Sequence, residues 1–139
     1  FVGCTSLASI TIPDSLISIV TNTFDHCTSL TSITIPDSVT IIESSAFMLC
    51  SSLSSITIPD SVTSIDIAAF YNCTSLTSIT IPDSVTSIGK NTFYNCTNLT
   101  SITYKGTKEQ WKNIEFGTDW NHNTGNYIIH CTDGDIPKS

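Results

Sequence analysis

Five cysteines, Cys4, Cys27, Cys50, Cys73 and Cys96, stand 23 residues apart, and the same interval separates Pro13, Pro36, Pro59 and Pro82, and again Phe1, Phe24, Phe47, Phe70 and Phe93. Three independent columns sharing one period leave a stack of repeated units as the architecture, because each unit must then find the same neighbours as the last. Four full units occupy 7–98, with a partial unit at 1–6 and another at 99–105. Residues 106–139 depart from the pattern and read as a C-terminal capping segment.

Within a unit, Leu30-Thr31-Ser32-Ile33-Thr34-Ile35-Pro36 ends in strict alternation, the signature of a short strand. Ile33 and Ile35 are expected to face inward and Ser32 and Thr34 outward. Pro36 cannot donate to a ladder and ends the strand, and Asp37 and Ser38 supply turn chemistry. Val39 and Ile42 return to the interior, and Ala46, Phe47 and Cys50 follow at spacings that predict a short helical turn. One such coil buries too little apolar surface to be stable alone, whereas stacked coils bury continuous columns. The L-x-x-I-x-I core is the leucine-rich-repeat pattern. The expected fold is a right-handed α/β leucine-rich-repeat solenoid, strand-rich with short helical turns, its parallel sheet on the concave face and its coils about 4.8 Å apart.

The segments LTSITIPDSVTSI (76–88), AAFYNCTS (68–75) and NTFYNCTN (91–98) resemble the BspA-like leucine-rich-repeat family of bacterial surface proteins. GTKEQWKNI (106–114) and IIHCTDGDI (128–136) resemble the segment that often closes such arrays. The resemblance implies a secreted or cell-surface protein that acts by adhesion to host or neighbouring-cell proteins. It implies no common ligand. The chain departs from the family's glycine after the last Ile of the unit: Gly89 has it, but Val20, Glu43 and Asp66 stand in the other coils.

The chain opens in the second half of a repeat, so a boundary within a longer array is expected. At the other end, Thr107-Lys108-Glu109-Gln110 fits a capping box and predicts a short helix through Trp111 and Ile114. Tyr127 to Cys131 reads as a final strand before a Thr132-Asp133-Gly134 turn. Tyr104, Trp111, Phe116, Trp120 and Tyr127 are expected to cover the end of the stack.

Chemistry-bearing residues are few. The cysteine column has architectural spacing and no C-x-x-C pair, so buried thiols are expected, with a Cys96 to Cys131 link as the alternative. Asp14, Asp37, Asp60 and Asp83 form a column too, but calcium takes six to eight oxygens and no metal or other cofactor is expected. His26, His122 and His130 have no nucleophile in a recognisable setting, and no P-loop, G-x-G-x-x-G or H-E-x-x-H occurs, so the chain is not expected to be an enzyme. Asn72, Asn95 and Asn98 each open a glycosylation sequon.

Charge narrows the partners. The chain has 5 Lys and no Arg against 12 acidic residues, for a net charge of -7. Residues 1–89 hold seven of the acids and no Lys, so they carry the whole of it. No basic face for nucleic acid can be assembled, and apolar runs are too short for membrane insertion. The expected partner is an extracellular or host-surface protein. The expected binding face is the outward side of the strands: Ser9 and Thr11, Ser32 and Thr34, Ser55 and Thr57, Ser78 and Thr80, and Ser101, Thr103 and Lys105. The alternative is a structural spacer that displays another domain and has no ligand.

Overall fold

Each repeat makes one coil with two short extended stretches joined by turns. The computed structural model describes residues 1–139. In chain order the elements are β1 (Ser18–Ile19), β2 (Ile41–Ile42), β3 (Ser55–Thr57), β4 (Ser64–Ile65), β5 (Ser78–Ile81), β6 (Ser87–Ile88), β7 (Ser101–Tyr104), α1 (Lys108–Lys112), β8 (Glu115–Phe116), β9 (Ile128–Cys131) and β10 (Gly134–Pro137).

Two sheets result. The long sheet runs β10-β9-β7-β5-β3, and the short sheet runs β1-β2-β4-β6-β8. In the long sheet Ile56, Ile79, Ile102 and Ile129 are successive parallel partners, and a bridge between Thr11 and Thr34 extends it into the first coils. The alternating pattern sets this register, because a slip of one residue would turn every isoleucine outward. In the short sheet Ile19, Ile42, Ile65 and Ile88 align in the same way. The solenoid of parallel strands at 23-residue spacing is thus present, with a second sheet beside the one anticipated.

The helical turn anticipated around Ala46, Phe47 and Cys50 is not formed. Single turns replace it, with Phe47 O accepting from Cys50 N and Cys50 O from Leu53 N. Two left-handed residues per coil explain the change. Asn22, Ser45, Ala68 and Asn91 form one such column and His26, Leu49, Asn72 and Asn95 the other, all with φ between 56° and 60°. A left-handed residue every few positions reverses the path before a helical turn can propagate. Of 76 backbone hydrogen bonds, 60 lie outside the helix and strands, so turn-to-turn bonding between coils carries much of the stack.

The interior is a set of ladders. Phe1, Phe24, Phe47, Phe70 and Phe93 stack with centroids 5.3 to 5.7 Å apart. Beside them Cys50, Cys73 and Cys96 are buried free thiols, each donating to the carbonyl of Phe24, Phe47 or Phe70 in the coil before, at 3.1 Å. The phenylalanine ladder ends edge-on against Trp120, whose carbonyl accepts from Phe93 N.

Residues 106–139 carry the stack on with a longer loop. α1 starts at Thr107, whose hydroxyl accepts from Gln110 N while the Gln110 side chain accepts from Thr107 N. β8 then pairs with β6 in parallel, and Asn123 sits 28 residues after Asn95, so the loop holding the helix adds five residues to the period. Trp111, Phe116, Trp120 and Tyr127 pack together at the end, and β10 closes the long sheet antiparallel to β9. The first coil is different. Phe1, Val2, Ile17 and Val20 are 52 to 68% exposed there.

Candidate functional site

The outward face of the long sheet is built by its alternation. With Ile56, Ile79 and Ile102 buried, their neighbours must point to solvent, and parallel in-register pairing stacks like on like. Ser55, Ser78 and Ser101 form one row; Thr57, Thr80 and Thr103 form the next. Ser9, Thr11, Ser32 and Thr34 continue both rows through the first two coils and are exposed. All the serines and threonines anticipated for this face are therefore brought together on it.

None of these hydroxyls has a hydrogen-bond partner within the chain, which separates them from the hydroxyl columns elsewhere. Thr40, Thr63 and Thr86, flanking the short sheet, each donate to the carbonyl of the residue stacked one coil before, Ile17, Thr40 and Thr63. Ser54, Thr77 and Thr100, just before the long-sheet strands, do the same toward Thr31, Ser54 and Thr77. Those hydroxyls tie coils together. The long-sheet hydroxyls are left to bond outside the molecule.

Lys105 takes the place of the column proline in the last regular coil. Its Nζ reaches 2.8 Å from Asp60 Oδ1, two coils away and past Asp83, with both side chains well exposed. Beneath it lies an open depression of about 340 Å³ lined by Ser32, Thr34, Asp37, Ser55, Thr57 and Asp60. Asp14, Asp37 and Asp83 make no ion pair.

A family model described as the BspA-type leucine-rich-repeat region, in six copies, matches residues 1–120. The chain belongs to that family. Two solved structures are similar. A leucine-rich-repeat protein of T. pallidum is 33% identical with a TM-score of 0.72, over 86% of this chain and 59% of that one. A leucine-rich cell surface protein of Faecalibacterium prausnitzii A2-165 is 37% identical with a TM-score of 0.62, over 78% of this chain and 35% of that one. The chain thus matches less than two-thirds of the length of either. No curated protein matches it. No helix is long and apolar enough to cross a membrane.

In this BspA-type array the face extends beyond the residues legible as repeat. Ser101 is followed in its row by Ile128 and then Pro137, and Thr103 by His130 and then Asp135. Ile128 is 41% exposed, an apolar residue among the hydroxyls, and His130 Nδ1 lies 2.9 Å from Asp135 Oδ1. A spacing of 27 residues in place of 23 hides this continuation; aligning Ile129 with Ile102 as the inward residue would have found it.

Two histidine–aspartate pairs occur in the chain. His26 sits 2.6 Å from its neighbour Asp25, and neither it nor His130 is hydrogen-bonded to a hydroxyl or thiol. Burial pushes the Cys50 and Cys96 thiols up to about 12, so they stay protonated and unreactive at neutral pH. On the short-sheet side, the backbone N–H of Thr21, with the Thr21 and Ser18 hydroxyls, holds the Glu43 carboxyl below its usual range. Burial raises that of Asp66. Both occupy the column where Gly89 and Gly117 follow, and at those glycines an added Cβ would meet backbone of the coil before at 2.6 and 2.2 Å. The glycines thus mark a closer approach of coils than Glu43 and Asp66 permit.

Proposed function

We propose that the chain is a non-catalytic protein-interaction module of a secreted or cell-surface protein, adhering to host or neighbouring-cell proteins through the outward face of its long sheet. The observation that carries this reading is the unpaired state of the Ser and Thr rows there, beside equivalent rows that are consumed in holding the coils together. A hydroxyl both donates and accepts, so a regular grid of them can meet either polarity of a partner's backbone. Membership of the BspA-type family and likeness to a protein described as a cell surface protein support the extracellular placement. The mechanism is surface complementarity, with Ile128 as the apolar anchor at one end.

The test is binding of the purified chain to immobilised extracellular-matrix proteins and to cells, with Thr34, Thr57 and Thr80 replaced by Lys. An adhesive face loses capture in the triple variant. Equal capture by the triple variant, or none by the wild type, returns the array to the role of a spacer displaying another domain.

A further inference from the structure

Resting on that reading, we propose that the long-sheet face docks an extended peptide segment bearing several Lys or Arg residues. The segment lies along the stack, its cations over Asp14, Asp37 and Asp60 and its backbone over the hydroxyl rows. Charge complementarity on an unpartnered sheet face favours this occupant. Asp14, Asp37 and Asp60, each immediately after the strand-ending proline, line open depressions together with the hydroxyl rows, whereas Asp83 faces the capping helix. Residues 1–89 contain no Lys or Arg to neutralise them.

The chain itself displays the contact. Lys105 extends along the stack across about 10 Å, the height of two coils, to place its ammonium on Asp60 above the depression that Asp37 shares. It behaves as an internal place-holder for an incoming cation. Spacing sets the character of the complex. Coils repeat every ~4.8 Å, whereas same-side residues of an extended peptide repeat every ~6.8 Å. Long flexible side chains must bridge the mismatch, so recognition depends on charge and extension more than on an exact sequence. Exposed ion pairs are individually weak and salt-screened, so several are needed and affinity falls as salt rises.

The experiment is fluorescence anisotropy with a labelled decapeptide of alternating Lys and Thr, beside Glu-Thr and Gln-Thr counterparts, at low ionic strength. The wild type is expected to bind the Lys-Thr peptide alone. Lys105→Gln, which vacates Asp60, should tighten binding about threefold, and Asp37→Asn with Asp60→Asn should weaken it about tenfold. Glu115→Gln with Asp119→Asn removes the same formal charge away from the face and should change little. Absence of binding to the Lys-Thr peptide, or equal weakening by the two double variants, overturns the inference. Binding of the Gln-Thr peptide that is lost on replacing Thr34, Thr57 and Thr80 by Lys overturns the cationic partner while leaving the interaction surface standing. Failure of every peptide together with failure of the matrix and cell assays removes the surface itself.

Discussion

Single residues decide how well each coil closes on the next. Asn95 Nδ2 donates to Asn72 Oδ1, and Asn123 donates to Asn95 in turn, at positions whose φ lies between 52° and 60°. Asparagine suits the site twice, tolerating the left-handed backbone and pairing with its own kind one coil away. Leu49 holds the same place with φ 59° and has neither advantage. Leu49→Asn is therefore expected to raise stability by about 1 kcal/mol, read as a higher denaturation midpoint with an unchanged m-value. No gain would mean that apolar contacts of Leu49 outweigh its backbone cost. Gly89 presents the opposite case. Its missing Cβ would lie 2.6 Å from the backbone of Asp66 and Ile67, which cannot yield as a side-chain tip can. Gly89→Ala should cost about 1–3 kcal/mol, and a neutral result in thermal unfolding would show that the coils can slide apart freely.

Among the elements, the thiol column makes the stack sensitive to alkali. Burial raises Cys27, lifts Cys50 and Cys96 to about 12 from an ordinary 9.0, and takes Cys73 well above that ordinary value. A raised thiol binds its proton more tightly in the folded chain than in the unfolded one. The stabilisation is complete below the unfolded value and is lost as pH climbs from about 9 toward 12. Each deep thiol should contribute a slope of about 1.4 kcal/mol per pH unit there. Urea midpoints between pH 8 and 11 should fall steeply for the wild type and more gently for a chain with Cys50, Cys73 and Cys96 replaced by Ala. Parallel slopes would show that the thiols do not titrate on unfolding. This column, like the inward isoleucines and the capping box at Thr107, was legible in the sequence because each rests on spacing alone. The short sheet was not, since pairs such as Ser64–Ile65 are too brief to alternate. Nor were the breaks in helical path, because Ser45, Leu49 and Ala68 carry no sign of a left-handed backbone and take it from the columns they stack on. On the candidate face, the hydroxyl rows could be read from the period, but their lack of internal partners could not: Thr34 and Thr40 look alike until the neighbouring carbonyls are placed.

At the scale of the whole molecule the two ends are unequal. The last coil is sealed by β10, by the Trp111–Trp120–Tyr127 cluster and by Lys138, whose Nζ donates to the Thr124 and Gly125 carbonyls. The first coil has Phe1 stacked on one side only, and a largely apolar depression of about 280 Å³ opens among Phe1, Ile10, Leu16 and Val20. In a solenoid each coil contacts only its neighbours, so stability is a sum of coil and interface contributions, and fraying starts where an interface is missing. Expressed as residues 1–139 alone, the chain should unfold from its first coil inward. Hydrogen exchange under native conditions is expected to be fastest for amides within 1–21 and slowest within 53–96, with the closing segment protected nearly as well as the middle. Trp120→Ala removes the aromatic that ends the phenylalanine ladder and should bring a second fast-exchanging zone to the last coil, leaving the rates of the first unchanged. Uniform protection along the chain would contradict this, because it would require the coils to open together instead of in sequence.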